Sequence, residues 1–123
     1  MKTLKVSLLV FSLACMAFVA IPAMAADMMG GGSLSIVSPT NGAMLDSGSG
    51  IKLTYNVKLS PNGNHLHIYV DDQSPIIDRN VSGCPCSLTL PDLSSGMHEV
   101  AVKEATVHHE LTGLEAEVKF TVK

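Results

Sequence analysis

The chain has 123 residues, a formal net charge of −3, and a composition that is 46% hydrophobic but only 4% aromatic, with no tryptophan. An acidic balance excludes a surface built to neutralise phosphates, so neither nucleic acid nor an anionic membrane face is an expected partner. Too few aromatic rings remain for a stacked-ring platform that would hold sugars.

In chain order, Lys2 and Lys5 precede an uncharged apolar run from Val6 to Ile21, which ends at Pro22 and the small-residue string Ala23-Met24-Ala25. That order of basic, apolar and A-x-A segments predicts a signal peptide over residues 1–25, cleaved after Ala25. The run is shorter than the roughly 20 residues a spanning helix needs and is not followed by another, so no transmembrane segment is expected after signal removal. Lipid attachment at Cys15 is disfavoured, because Ser12 stands where lipoprotein signals usually carry leucine and the apolar run continues past the cysteine. Cleavage removes two lysines and no acid, leaving a more acidic chain of single-domain length in the periplasm or outside the cell.

Residues 26–33 are Gly-rich and aperiodic and read as a flexible arm. From 34 to 123 short β-like runs alternate with turn residues. SLSIVSP (33–39) is followed by GIKLTYNVKL (50–59), where Ile51, Leu53, Tyr55, Val57 and Leu59 alternate with polar residues over a period of two. After the turn SPNGN comes HLHIYVDD, with Leu66, Ile68 and Val70 inward. PIIDRNV (75–81) opens on proline and reads as an edge strand. CSLTLPDL (86–93), MHEVAVKEATV with Val100 and Val102 inward, and LEAEVKFTVK (114–123) complete the set. Seven strands spaced by turns predict an all-β fold, an antiparallel immunoglobulin-like sandwich with Greek-key connections. No helical periodicity of useful length competes with it.

Three segments carry a resemblance. IVSPTNGAML, LPDLSSGMHEVAV and the final VKFTV resemble bacterial immunoglobulin-like domains, which open on a Ser-Pro-x-x-Gly segment and carry an L-x-x-G-x-H-x-V corner. GNHLHIYVDDQSP and EATVHHE are similar to short bacterial exported proteins of unknown function that pair an H-x-H strand with a later histidine. The resemblance implies the fold over residues 35–123 and implies no activity.

His65 and His67 stand at i and i+2 of a strand and so point the same way, about 6.5–7 Å apart at Cα, close enough to chelate one transition metal. With Leu66, Ile68 and Val70 facing the core, both imidazoles face outward. His108 and His109 are adjacent, so only one of them can join a given site. Cys84 and Cys86 flank Pro85; a bond between them would close a tiny loop with little chain-entropy stabilisation. A reducible disulfide, a soft ligand pair, or an apolar role for Cys86 beside Leu88 and Leu90 all remain open. In an immunoglobulin-type sandwich the B–C, D–E and F–G connections share one end, and here they map to 60–65, 82–86 and 106–113. That end would gather His65, His67, His108, His109, Cys84 and Cys86, with Met28 and Met29 brought there by the arm. Thiolate, thioether and imidazole donors suit copper, as Cu(I), and then zinc. His98, in the L-x-x-G-x-H corner, is expected to be structural and to hydrogen-bond nearby backbone. Asp71 and Asp72 read as solvated turn acids at a strand end, with calcium conceivable at such a pair.

The H-x-H strand after a glycine resembles copper–zinc superoxide dismutases, but their long metal loop has no counterpart here. No local pattern marks a nucleophile or a phosphate loop. The expectation is therefore a non-catalytic exported domain whose partner is a metal ion, copper or zinc, or else another envelope protein contacted with no metal.

Overall fold

A computed structural model describes residues 31–123. The signal-peptide reading, most of the Gly-rich arm, and Met28 and Met29 lie outside the described residues. Eight strands follow in order: β1 (Ser33–Ser38), β2 (Met44–Leu45), β3 (Lys52–Lys58), β4 (His65–Val70), β5 (Ile76–Asp78), β6 (Cys86–Thr89), β7 (Gly96–Ala105) and β8 (Leu111–Val122). They form a three-stranded sheet in the order β1-β3-β6 and a five-stranded sheet in the order β2-β8-β7-β4-β5. Among the described residues no helix is long and apolar enough to cross a membrane.

The period-two patterns put the apolar halves of both sheets face to face, as aligned sheet packing requires. Leu53 and Tyr55 from β3 meet Leu66, Ile68 and Val70 from β4, Val100 and Val102 from β7, and Val118, Phe120 and Val122 from β8. β-branched and aromatic side chains dominate this list, which is why the runs form strands at all. The Tyr55 hydroxyl crosses the sandwich and donates to the Asp78 carboxylate on β5. A buried tyrosine thereby satisfies its polar end while its ring fills the core.

Two features depart from the seven-strand expectation. The segment holding Met44, outside the seven expected strands, forms β2, which pairs in parallel with the end of β8 at Met44↔Thr121 and Leu45↔Val122. The N-terminal segment thus serves both sheets in turn, changing over after Pro39. The second departure decides the geometry of the candidate site. The 75–81 run does not extend the β1-β3-β6 sheet; it pairs antiparallel with β4, at Leu66↔Asp78 and His67↔Ile77.

Among the described residues, Glu104 is the one acid in the core. It follows Val100 and Val102 on the inward face of β7 and is fully buried. Its carboxylate accepts from the Ser60 backbone N–H (2.8 Å), from the Ser60 hydroxyl, and from the Thr112 hydroxyl (2.7 Å). Three donors on one acid remove the cost of burying it. Gly63 lies directly over this carboxylate; a Cβ there would come within 2.4 Å of Oε2. Glu104 therefore ties the β3–β4 turn to β7 and β8, and that turn leads straight into His65.

Candidate metal centre

β3 runs toward the 59–64 turn, and β4 returns with His65 opposite Ala105 and His67 opposite Lys103. Asn64 N–H donates to the Ala105 carbonyl at 2.9 Å, so the β3–β4 and β7–β8 turns adjoin at one end of the sandwich. The small Ala105 leaves room beside the His65 ring. As expected from parity, His65 and His67 lie on the face opposite Leu66 and Ile68. They are nevertheless buried, His65 completely. The outer face of β4 is covered at these rings because the β7–β8 turn brings a third ring, His109, onto it.

That turn is organised by Thr106. Its carbonyl accepts from His109 N–H (2.9 Å), its N–H donates to the Glu110 carbonyl (2.8 Å), and its hydroxyl accepts from the N–H groups of His108 and Glu110. His109 sits at φ +63°, a left-handed conformation costing roughly 1–2 kcal/mol for a side chain with a Cβ. The cost falls on the residue whose ring is delivered to the strand, as strained positions at functional sites often do. His109 Nδ1 lies 3.2 Å from His65 Nε2 and 3.1 Å from His67 Nε2, and those two nitrogens are 3.0 Å apart.

Three ring nitrogens in a triangle cannot satisfy one another. Each N–H can point at only one neighbour well, so at least one edge sets lone pair against lone pair or proton against proton. A tetrahedral ion with metal–nitrogen bonds of about 2.0–2.1 Å holds its ligand nitrogens roughly 3.3 Å apart, close to the spacing found here. The other ring nitrogens prepare this state. His65 Nδ1–H donates to the Asn64 side-chain oxygen at 2.9 Å, and Arg79 donates to the same oxygen at 3.5 Å. His67 Nδ1 faces the Tyr69 hydroxyl at 3.4 Å. With the protons on Nδ1, both Nε2 atoms present lone pairs to the centre, the tautomer a metal requires. Burial pushes the His65 imidazole below its ordinary pKa, helped by the positive charge of Arg79 and by His109 and His67. Burial, then His109 and Arg79, do the same to His67.

Of the six residues predicted to meet, the structure brings three together: among the described residues, only His65, His67 and His109 form a group of metal-donor atoms within 4.8 Å of one another. His108 is exposed on the turn. Cys84 and Cys86 are bonded to each other as a disulfide, and Cys86 pairs with Tyr55 at the middle of β3, away from its end. The reason is the sheet membership of β5. As a partner of β4, it makes the 79–85 segment a crossover between sheets rather than a turn at the shared end. Asn64, Tyr69 and Arg79, which orient the ligand rings, were not among the predicted residues; an Asn directly before H-x-H was the available signal.

His98 lies at the other end of β4 and β7. It donates from Nε2 to the Ser94 carbonyl (2.6 Å), as the corner motif led us to expect, and from Nδ1 to Asp71 Oδ2 (2.8 Å). Two acceptors demand a proton on both nitrogens. The Asp71 bond and then the Ser94 bond accordingly raise the His98 pKa above 6.5. Its stabilisation is complete below the unfolded-state pKa of 6.5 and is lost as pH rises through the higher folded value. Unfolding free energy measured in urea should therefore fall as pH rises above 6.5. His98→Gln should remove that slope and cost about 1–2 kcal/mol at pH 6.

No family model matches the chain, and no curated protein matches it. Among solved structures it is similar to a fibronectin(III)-like module of Clostridium thermocellum CbhA, with a TM-score of 0.58 and 19% identity over 73% of this chain and 96% of that one. The fold is immunoglobulin-like. At that identity the likeness concerns the fold alone, and the histidine group must be judged on its own geometry.

Proposed function

We propose that this protein is an exported, non-catalytic immunoglobulin-like domain that binds one copper or zinc ion through His65, His67 and His109 and buffers or delivers it in the cell envelope. The observation carrying the proposal is the triangle of ring nitrogens 3.0–3.2 Å apart, with two of the three rings held by their outer nitrogens. With the thiols bonded to each other, the donor set is all imidazole. That shifts the preference from Cu(I) toward Cu(II), which tops the divalent affinity order, and Zn(II). Three protein ligands leave a fourth position open, as suits an ion that is handed on. The leader-like pattern of residues 1–25 supports export.

A second reading, an envelope interaction module without metal, is favoured by one observation: Val107 and Leu111, on either side of the His109 turn, are 62% and 48% exposed. Titrating the purified protein with Cu(II) and Zn(II) against a competing chelator separates the two. Stoichiometric binding supports the metal site; indifference to both ions leaves the interaction module.

Imidazole must be neutral to ligate. The pKa values of His65 and His67 are depressed in the folded chain, so both are neutral at pH 7 and metal affinity should decline as pH falls toward 5. Affinity that stays flat from pH 7.5 to pH 5 in a chelator-competition series would contradict this site.

A further inference from the structure

We infer that the Cys84–Cys86 disulfide is a reversible redox centre that exchanges with thiols, a role separate from the histidine site. Four observations carry it. The bond joins residues two apart in sequence, which the chain already holds as neighbours, so it removes the least possible freedom from the unfolded state and fastens no distant segments. It sits where the crossover enters β6, the outer strand of the three-stranded sheet, with Ser82, Gly83 and Pro85 exposed around it. A cleft of about 220 Å³, walled by Tyr55, Asp78, Asn80, Pro85 and Cys86, opens beside Cys86. Finally, each sulfur faces a backbone carbonyl: Cys84 Sγ is 3.9 Å from the Val81 oxygen and Cys86 Sγ is 3.6 Å from the Asn80 oxygen. A disulfide has no proton to give these oxygens. Two thiols would, so acceptors for the reduced form are already in place.

The exchange is balanced without an outside oxidant. A thiolate attacks one cysteine sulfur, the S–S bond breaks, and its electron pair leaves on the other cysteine. A second thiol then attacks the mixed disulfide and releases the first cysteine. Two thiols are oxidised to one disulfide, and their two protons end on Cys84 and Cys86.

The test uses glutathione as the thiol, with a chelator present so that no metal at the histidines oxidises it. The purified protein is equilibrated across ratios of reduced to oxidised glutathione, alkylated, and its free thiols counted by intact mass. The expected result is a complete passage from disulfide to two thiols within the glutathione range, with a thermal midpoint that moves by no more than a few degrees. On a Cys15→Ser background, which leaves Cys84 and Cys86 as the only cysteines, a Cys86→Ser or Cys84→Ser variant should capture one glutathione, and the double serine variant none. A pair that stays oxidised at the most reducing ratio overturns the inference. So does a reduction that lowers the midpoint by about 10 °C or more, which would mark a structural cross-link.

Discussion

A His65→Ala, His67→Ala double variant should lose at least about 100-fold in affinity for Cu(II) and Zn(II), since even residues that merely orient ligands change affinity 10- to 100-fold. His109→Ala should fall in the same direction, while His108→Ala, on the same turn but outside the group of three ring nitrogens, should bind as the parent does. That contrast between neighbours is the sharpest check, because a loose histidine-rich surface would not distinguish them. Binding should also raise the parent's thermal midpoint in proportion to free ion. An excess of about 100 times Kd corresponds to roughly 2.7 kcal/mol of added stability, and the double variant should show none of it. Equal affinity in parent and double variant would remove the site altogether.

The second large effect belongs to stability. Glu104→Ala should cost about 3–5 kcal/mol in urea unfolding, because it strands the Ser60 N–H, the Ser60 hydroxyl and the Thr112 hydroxyl around a cavity. Glu104→Gln should cost less. The amide oxygen can take the place of Oε1 and keep both hydroxyls, whereas the amide nitrogen would then face the Ser60 N–H, donor against donor. Because the same carboxylate anchors the turn ahead of His65, the Gln variant should also weaken metal binding modestly. If Gln and Ala cost the same, the three bonds are not what holds this end of the sandwich.

Much of the fold was legible because strands report their burial by parity. Ile51 through Leu59, Leu66 through Val70 and Leu114 through Val122 each alternate without a break, and their inward residues, Leu59 and Ala116 apart, are buried or pack against the core. β2 was not legible, because a two-residue parallel pairing leaves no period to read. Glu104 was legible in principle, since it shares the parity of Val100 and Val102, and a charge at an inward position asks for a partner. The histidine site divides along the same line. His65 and His67 were paired by local spacing alone, whereas His109 joins them from 42 residues away, through a turn whose left-handed residue no periodicity announces. The cysteines were misplaced by a topological choice, whether the 75–81 run joins one sheet or the other. A short edge strand carries too few inward side chains to settle that from composition.

The short strand β2 has a bearing on how the protein behaves in company. The twelve residues of β8 would otherwise offer an unbroken open margin to any neighbouring chain. Instead Gly42 N–H donates to the Lys119 carbonyl, Thr121 N–H to Ala43 and Lys123 N–H to Leu45, so the final third of that margin is already taken. The remainder displays Glu115 and Glu117, whose charges repel a second copy. A nick between Thr40 and Leu45 would free the Lys119 carbonyl and the Thr121 and Lys123 N–H groups, and an edge so bared is a template for pairing with another chain.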